Sequence, residues 1–180
     1  MKIKKLTFIG LMTAVLCVTG PFALPIPFSP VPISLITLSL FLILYCIGTT
    51  GTFLCYFLYL LAGLVGLPVF TGFSGGIGKL LGPTGGYLIG LLLLIPVAGF
   101  FIHKKNIRAG FVFMGMLAGM AGCYLVGTAW LAWQMRIPFK NALVIGVFPF
   151  VIGDLLKLVI ALLLGPQIRN RLKRAGIYER

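Results

Sequence analysis

Six apolar segments dominate this chain and limit what it can fold into. Each approaches the ~20 residues that a helix needs to cross the hydrocarbon core of a bilayer, and together they occupy about two-thirds of the sequence. Backbone polar groups in lipid must be satisfied within the protein, so we predict an all-α, multi-pass membrane protein with six transmembrane helices and one domain over residues 1–180. The segments run approximately over Leu6–Leu24, Ile33–Gly48, Thr50–Gly66, Gly85–Ile102, Ala109–Trp133 and Ala142–Gly165.

The sequence outside these segments consists of loops and short tails. Gly48-Thr49-Thr50-Gly51 separates the second from the third and predicts a tight helical hairpin. What remains is too small for a soluble catalytic or nucleotide-binding domain, and no phosphate-binding P-loop pattern occurs. If transport by this protein is driven by ATP, a partner must therefore supply the ATPase.

The formal net charge of +13 is placed as in a membrane protein rather than a nucleic-acid-binding protein. Basic residues cluster at the ends of apolar segments, whereas nucleic-acid binding favours a basic stripe on a soluble face. An internal N-terminus puts eleven basic residues on the cytoplasmic side and three outside, so we predict that both termini are cytoplasmic and the Phe70–Gly82 loop is external. The cytoplasmic set is Lys2, Lys4, Lys5, Lys104, Lys105, Arg108, Arg169, Arg171, Lys173, Arg174 and Arg180; the external set is Lys79, Arg136 and Lys140.

The first segment follows a basic start and so resembles a signal peptide. It has no small-residue cleavage site of the A-x-A type, and Pro21 and Pro25 follow it, so we expect a retained first helix. The four cysteines all lie in apolar segments without paired close spacing. They are best interpreted as small hydrophobic residues, and we expect neither a metal site nor a cofactor.

Asp154 is one of only two acidic residues, and it lies within the last apolar segment. Lys157 follows three residues later, on the same helical face. An ionisable residue at membrane depth costs at least ~2.5 kcal/mol on insertion scales, so it is a functional-site hypothesis by default. The alternative is an ion pair that only holds two helices together.

Two loops have compositions suited to covering or contacting a ligand. Leu24–Pro32 contains four prolines in nine residues and predicts a stiff, extended cover, or else an ordinary helix breaker. Gly66–Gly86 contains eight glycines in 21 residues, which permit close approach of backbone to a ligand.

Gly72-Phe73-Ser74-Gly75 matches the G-x-S-G motif of rhomboid intramembrane serine proteases. That chemistry needs a histidine within hydrogen-bond reach of the serine. The only histidine, His103, is predicted on the cytoplasmic side, whereas Ser74 is predicted outside. A span of ~20 residues rises about 30 Å, so we expect that the protein is not an enzyme of this kind.

Five motifs together resemble the BioY family, the biotin-specific S components of energy-coupling factor (ECF) transporters. The resemblance covers nearly the whole chain in order. The motifs are P-I-P-F-S-P-V-P-I at Pro25–Ile33, G-L-P-V-F at Gly66–Phe70, S-G-G-I-G at Ser74–Gly78, L-G-P-T-G-G-Y-L at Leu81–Leu88 and I-G-D-L-L-K at Ile152–Lys157.

The resemblance implies the six-helix ECF S-component fold, with a vitamin site near the outer face that the first and third loops close. It also implies a substrate-binding set of Asp154, Lys157, Ser74, Gly75, Gly76 and Tyr87. Some members carry an arginine after the tyrosine; this chain has Leu88, which leaves Lys79 or glycine-loop N–H groups as partners for the biotin carboxylate.

The chemistry of a ureido ring fits this assignment. An ionised aspartate only accepts hydrogen bonds and a lysine only donates, so Asp154 and Lys157 could hold the N–H and oxygen sides of such a ring. Four aromatic residues could cover the apolar part of biotin or, equally, belong to an interfacial belt. They are Trp130, Trp133, Phe70 and Phe73.

Gly10 and Ala14 form a small-xxx-small pair that permits close helix contact in lipid. The resemblance implies docking there on an ECF transmembrane coupling subunit, with two ATPase subunits, in a bacterial plasma membrane. Packing within the subunit is the alternative, since Gly115, Gly119 and Gly122 have similar spacing. The function expected is capture of biotin from outside for ATP-driven uptake; the alternative is a self-sufficient or proton-coupled carrier that uses Asp154.

Overall fold

A computed structural model of the protein describes residues 2–26, 29–104 and 108–176. Within these ranges the chain forms seven helices and one small antiparallel β-hairpin. Predictions that involve Pro27, Phe28, Lys105, Glu179 and Arg180 lie outside the described residues. The elements are α1 Lys2–Thr19, β1 Ala23–Ile26, β2 Ser29–Ser34, α2 Ile36–Leu64, α3 Ile77–Leu81, α4 Gly85–His103, α5 Ala109–Met135, α6 Phe139–Gly146 and α7 Phe148–Arg174.

Four of the described helices, α2, α4, α5 and α7, are long and apolar enough to cross a membrane. Their outward side chains are apolar as well: Phe100 is 64%, Leu125 62% and Ile152 82% exposed. Large apolar faces of this kind are unusual for a soluble monomer but suit contact with lipid. The prediction of an all-α membrane protein is confirmed.

The long helix α2 contains the second and third predicted segments. Its helical conformation is interrupted at Gly48, where φ is +77°, a value that favours glycine. Ser39 Oγ donates to Thr19 Oγ1 at 3.0 Å, and the Tyr59 hydroxyl lies next to Gly20. Both ends of α2 therefore lie beside the same end of α1, so the chain folds back at Gly48. With its two arms counted separately, the long helices of the described chain number six.

The first and last predicted segments have different ends in the structure. Helix α1 ends at Thr19, ahead of Pro21, and the last two residues of the first segment belong to β1. The last segment is divided into α6 and α7 at Val147, which has non-helical angles of φ −129° and ψ −55°. Pro149, in the first turn of α7, lacks the N–H that would continue the preceding helix. A proline near this position favours a new helix start.

The proline-rich segment and the glycine-rich loop, both predicted to cover or contact a ligand, contain regular secondary structure. The proline-rich segment forms β1 and β2, with Ala23 opposite Ser34 and Leu24 opposite Ile33. Its extended backbone agrees with the prediction. The glycine-rich loop is not wholly irregular, because it contains the short helix α3.

Helices α4 and α5 approach each other closely because small residues lie between them. A Cβ on Gly90 would lie 2.8 Å from the Cys123 carbonyl oxygen, and one on Gly119 would lie 3.1 Å from that of Leu94. Such contacts allow two backbones to pack directly in lipid. This packing fixes the relative positions of the α4 and α5 side chains that face the cavity described next.

Candidate ligand-binding site

A cavity opens between the β-hairpin, the start of α2, and helices α4, α5, α6 and α7. It holds about 640 Å³ of empty space, counting the part open to solvent at its mouth. The hairpin contributes Val31, Pro32 and Ser34, so it forms one wall. Most of the lining is apolar, with a few polar groups among it, as in sites for small organic ligands.

Asp154 and Lys157 lie in this cavity, as the sequence hypothesis requires. Lys157 Nζ donates to Asp154 Oδ1 at 2.8 Å, an i, i+3 ion pair on α7. The two residues are 8% and 7% exposed, so the pair is largely removed from solvent. A buried ion pair is a weak contributor to stability, because its desolvation costs about as much as its attraction returns. Stability alone therefore gives little reason for a pair at this position.

Two further groups complete a network around the pair. The Tyr124 hydroxyl donates to Asp154 Oδ2, and Lys157 Nζ donates to the Ser34 carbonyl oxygen at 2.6 Å. The network thus links α5, α7 and the end of β2. The wall formed by the hairpin is held by the same ammonium group that pairs with Asp154.

This network retains hydrogen-bonding capacity for a ligand. A carboxylate has about four acceptor sites, and the contacts above occupy two of those on Asp154. An ammonium has three donors, and two of those on Lys157 are used. A ligand with adjacent N–H donors and a polarised oxygen could use the remainder.

Tyr87 also lines the cavity, and neighbouring glycines fix its ring. A Cβ on Gly127 would lie 2.3 Å from the ring, and one on Gly146 would lie 2.3 Å from the hydroxyl oxygen. The hydroxyl donates to the Gly146 carbonyl at 3.0 Å and lies 3.4 Å from Thr128 Oγ1. The tyrosine is therefore held as a rigid wall of the site.

Sequence reasoning missed several polar residues of the cavity, among them Tyr124 and Thr37. Tyr124 had a signal: a phenol within an apolar span needs a partner for its hydroxyl group. Thr37, near the start of α2, also lines the cavity, and its buried Oγ1 has no hydrogen-bond partner among the described residues. A buried hydroxyl without a partner costs free energy, so it is a candidate contact for a bound ligand.

Three other predicted substrate residues do not line the cavity. Ser74 Oγ donates to the Thr71 carbonyl at 2.9 Å, and a Cβ on Gly75 would collide with the Leu67 carbonyl. Gly76 N donates to the Gly63 carbonyl at 2.7 Å. The glycine-rich loop reaches the cavity through Thr71 and Thr84 instead. A direct ligand contact by Ser74, Gly75 or Gly76 stays a prediction.

The four aromatic residues considered as ligand walls lie elsewhere. Phe70 is buried in the core, where its ring packs on Gly63 and Tyr59. Trp130 Nε1 donates to the Gly82 carbonyl at 3.0 Å. The other two are exposed: Phe73 by 62% and Trp133 by 71%. Tyr87, Tyr124 and Phe150 supply the aromatic surfaces of the cavity.

The geometry gives no support to serine protease chemistry. Ser74 precedes the first residue of α4, whereas His103 ends that helix and has Nε2 2.9 Å from the Leu44 carbonyl oxygen. The 19 residues of α4 separate them by about 28 Å. Among the described residues, no group of three or more His, Cys, Asp or Glu could hold a metal ion. The four cysteines are free thiols.

Gly10 and Ala14 both lie on the exposed side of α1. A Cβ added to Gly10 would have no atom within 4 Å. The buried side of the same helix carries Ile9 and Leu16. Packing within the subunit therefore does not account for the small residues at positions 10 and 14.

Comparison with known proteins gives a consistent set of matches. The model of the BioY family matches residues 1–174. The biotin transporter BioY2 of Lactococcus lactis is 32% identical over 177 residues, covering 98% of this chain and 96% of the relative. The biotin transporter BioY of Thermotoga maritima is 38% identical over 161 residues, covering 89% and 93%.

A solved structure agrees with these matches. The crystal structure of the S-component for biotin from an ECF-type ABC transporter superimposes with a TM-score of 0.84 at 30% sequence identity. The superposition covers 94% of this chain and 92% of that one. The predicted S-component fold is therefore confirmed.

Proposed function

Because this chain belongs to the BioY family, we propose that it is the biotin-binding, substrate-capture subunit of an ATP-driven ECF vitamin transporter. It binds biotin from the outer side of a bacterial plasma membrane. It delivers the vitamin inward when coupled to a transmembrane subunit and two ATPase subunits. Its role is transport rather than catalysis, and both termini are cytoplasmic, as the distribution of basic residues favours.

The observation that carries this proposal is the buried Asp154–Lys157 pair with unused hydrogen-bonding capacity in the cavity. A ureido ring presents two N–H donors and one strongly polarised oxygen. The Asp154 carboxylate accepts from the N–H groups, and the third N–H of Lys157 donates to the oxygen. These charge-assisted hydrogen bonds act in a site with little water, where they are strong.

The apolar lining of the cavity suits the rest of biotin. Leu88, Leu91, Met120 and Phe150 offer surfaces for the thiophane ring and the valeryl chain. Burial of each methylene of that chain contributes roughly 0.8 kcal/mol. Tyr87 supplies a fixed aromatic wall beside them.

The β-hairpin supports a role as the outer cover of the site. Its residues line the cavity, and Ser34 is attached to Lys157 through one hydrogen bond. A ligand that engages Lys157 would contact the group that holds the hairpin. Opening and closing of this wall would then admit and retain biotin.

Proton coupling through Asp154 is less well supported. The chain contains only one other acidic residue, Glu179, and one histidine. His103 lies at the far end of α4, near Gly48. A proton relay normally uses a chain of such groups.

A thermal-shift screen tests the proposal directly. We expect biotin in excess to raise the unfolding midpoint of the detergent-solubilised, ligand-free protein, because a ligand that binds only the folded state stabilises it. Thiamine and riboflavin should leave the midpoint unchanged. No shift with biotin, in protein shown to be folded, would contradict the assignment.

Tyr124→Phe tests the network around the carboxylate. The change removes one donor to Asp154 while it keeps the ring, so we expect biotin affinity to fall by about 0.5–1.5 kcal/mol, or roughly two- to tenfold. Calorimetric titration measures the change. Tyr56→Phe is the matched control, because the Tyr56 hydroxyl is also buried but donates to the Leu88 carbonyl. Equal losses in both variants would mean that Tyr124 acts only through packing.

A further inference from the structure

The charged groups of the cavity cancel each other. Among the described residues that line it, Lys157 is the one cation and Asp154 is the one anion. Their contact of 2.8 Å makes the pair formally neutral. Pro27 and Phe28, which lie outside the described ranges, carry no charge either. The cavity therefore offers no net positive charge to an anionic ligand.

The pair also lies some distance along α7 from the end at which this helix begins. Helices α4 and α7 run in the same direction. The last residue of α4 lies beside Gly48, and Gly165, in the second half of α7, packs against Tyr45, which is only three residues before Gly48. Asp154 lies six residues after Phe148, the first residue of α7, or about 9 Å along its axis. Thr84 lies just before α4, so its uncharged hydroxyl group belongs to the lining at the end of the cavity where α4 begins.

The three basic residues predicted on the external side are not part of the cavity lining. Lys79 is half-buried on α3, while Arg136 and Lys140 are exposed beyond the end of α5. None of the three lines the cavity. Leu88, the residue after Tyr87, does line the cavity, but its side chain is uncharged.

We propose that this site accepts biotin compounds whose valeryl end is uncharged, such as biotin amides and esters, about as tightly as biotin itself. This inference rests on the proposed function. With the ureido ring on the ion pair, the valeryl end extends toward the end of the cavity near Thr84. A carboxylate there has no cation to compensate its desolvation and stays hydrated, and an amide meets the same neutral hydroxyl groups. The site therefore recognises the ring system and not the acid.

Calorimetric titration of the purified, ligand-free protein with biotin, biotinamide and biotin methyl ester tests the inference. We expect the three dissociation constants to agree within about threefold, a difference of about 0.65 kcal/mol. If biotinamide binds tenfold or more weakly than biotin, a cation pairs with the carboxylate and the inference is wrong. If none of the three binds to folded protein, the proposed function fails instead.

The variant Lys79→Ala tests whether Lys79 supplies a positive charge to the biotin carboxylate. Lys79 is the external cation on the glycine-rich loop, and its long side chain is flexible. We expect the ratio of the biotin and biotinamide dissociation constants to be the same in the variant as in the unmodified protein. A tenfold loss for biotin without a loss for biotinamide would identify Lys79 as the carboxylate partner and overturn the inference.

Discussion

Asp154→Asn should weaken biotin binding by at least about 1.5 kcal/mol, the low end for hydrogen bonds to charged groups, which corresponds to roughly a tenfold rise in dissociation constant. The amide keeps the shape and one acceptor oxygen, but it replaces the other oxygen by a donor that faces the ureido N–H groups. It also leaves the Lys157 ammonium without the anion that neutralises it, because the other described partner, the Ser34 carbonyl, is uncharged. An unpaired charge at 7% exposure is costly, so the folded, ligand-free protein should also be less stable.

Calorimetric titration measures the biotin dissociation constant of the variant, and its thermal unfolding midpoint shows whether it is folded. Thr52→Val is the matched control, because Thr52 is a buried polar residue outside the cavity whose hydroxyl donates to the Gly48 carbonyl. Loss of the Thr52 hydroxyl should lower the stability of the folded protein without changing its affinity for biotin. Unmodified affinity in Asp154→Asn would reduce the Asp154–Lys157 pair to a structural ion pair.

The membrane fold could be predicted from sequence because lipid imposes simple requirements. Long apolar runs must become helices, and Gly48 marks a position where the chain can reverse. The helix ends were less predictable. The break at Val147 divides an apolar run that looks continuous, and the hairpin depends on pairing between residues such as Ala23 and Ser34. Hydropathy contains no information about such pairing.

The cavity was only partly predictable, for a similar reason. Asp154 and Lys157 stand out because charge is rare in the apolar segments, and a motif resemblance identified Tyr87. Tyr124 and Thr37 are polar residues of ordinary type, and only the packing of α5 and α2 places them in the lining of the cavity. The glycine-rich loop was expected to contact ligand, yet much of it packs on its own backbone, as Gly75 shows.

Small residues on α1 and α5 have the same spacing in sequence but different surroundings in the structure. Gly115 packs against the Phe101 ring and Gly119 against the Leu94 backbone, so these two serve contacts within the subunit. Gly10 has open space where its side chain would be, and Ala14 is exposed beside it. This difference supports the proposal that the exposed side of α1 docks on the transmembrane coupling subunit.

Gly10→Leu should therefore abolish biotin uptake and leave biotin binding unchanged. A Cβ at position 10 has no described atom within 4 Å, so we expect the fold and the cavity to be retained. A close helix contact with a partner would be forced apart. Ala14→Leu should act in the same way. Uptake of labelled biotin by cells that contain the complete transporter, together with calorimetric titration of the purified subunit, measures the two effects.

Gly122→Leu is the matched control for this change. A Cβ on Gly122 also has no atom within 4 Å, but the residue lies on α5, away from the proposed docking face. We expect this variant to retain both uptake and binding, so a general effect of leucine at a lipid-facing glycine is excluded. Normal uptake in Gly10→Leu would show that the α1 face is not the docking surface. Equal loss of binding and uptake would show instead that Gly10 supports the subunit's own structure, contrary to the open space around it.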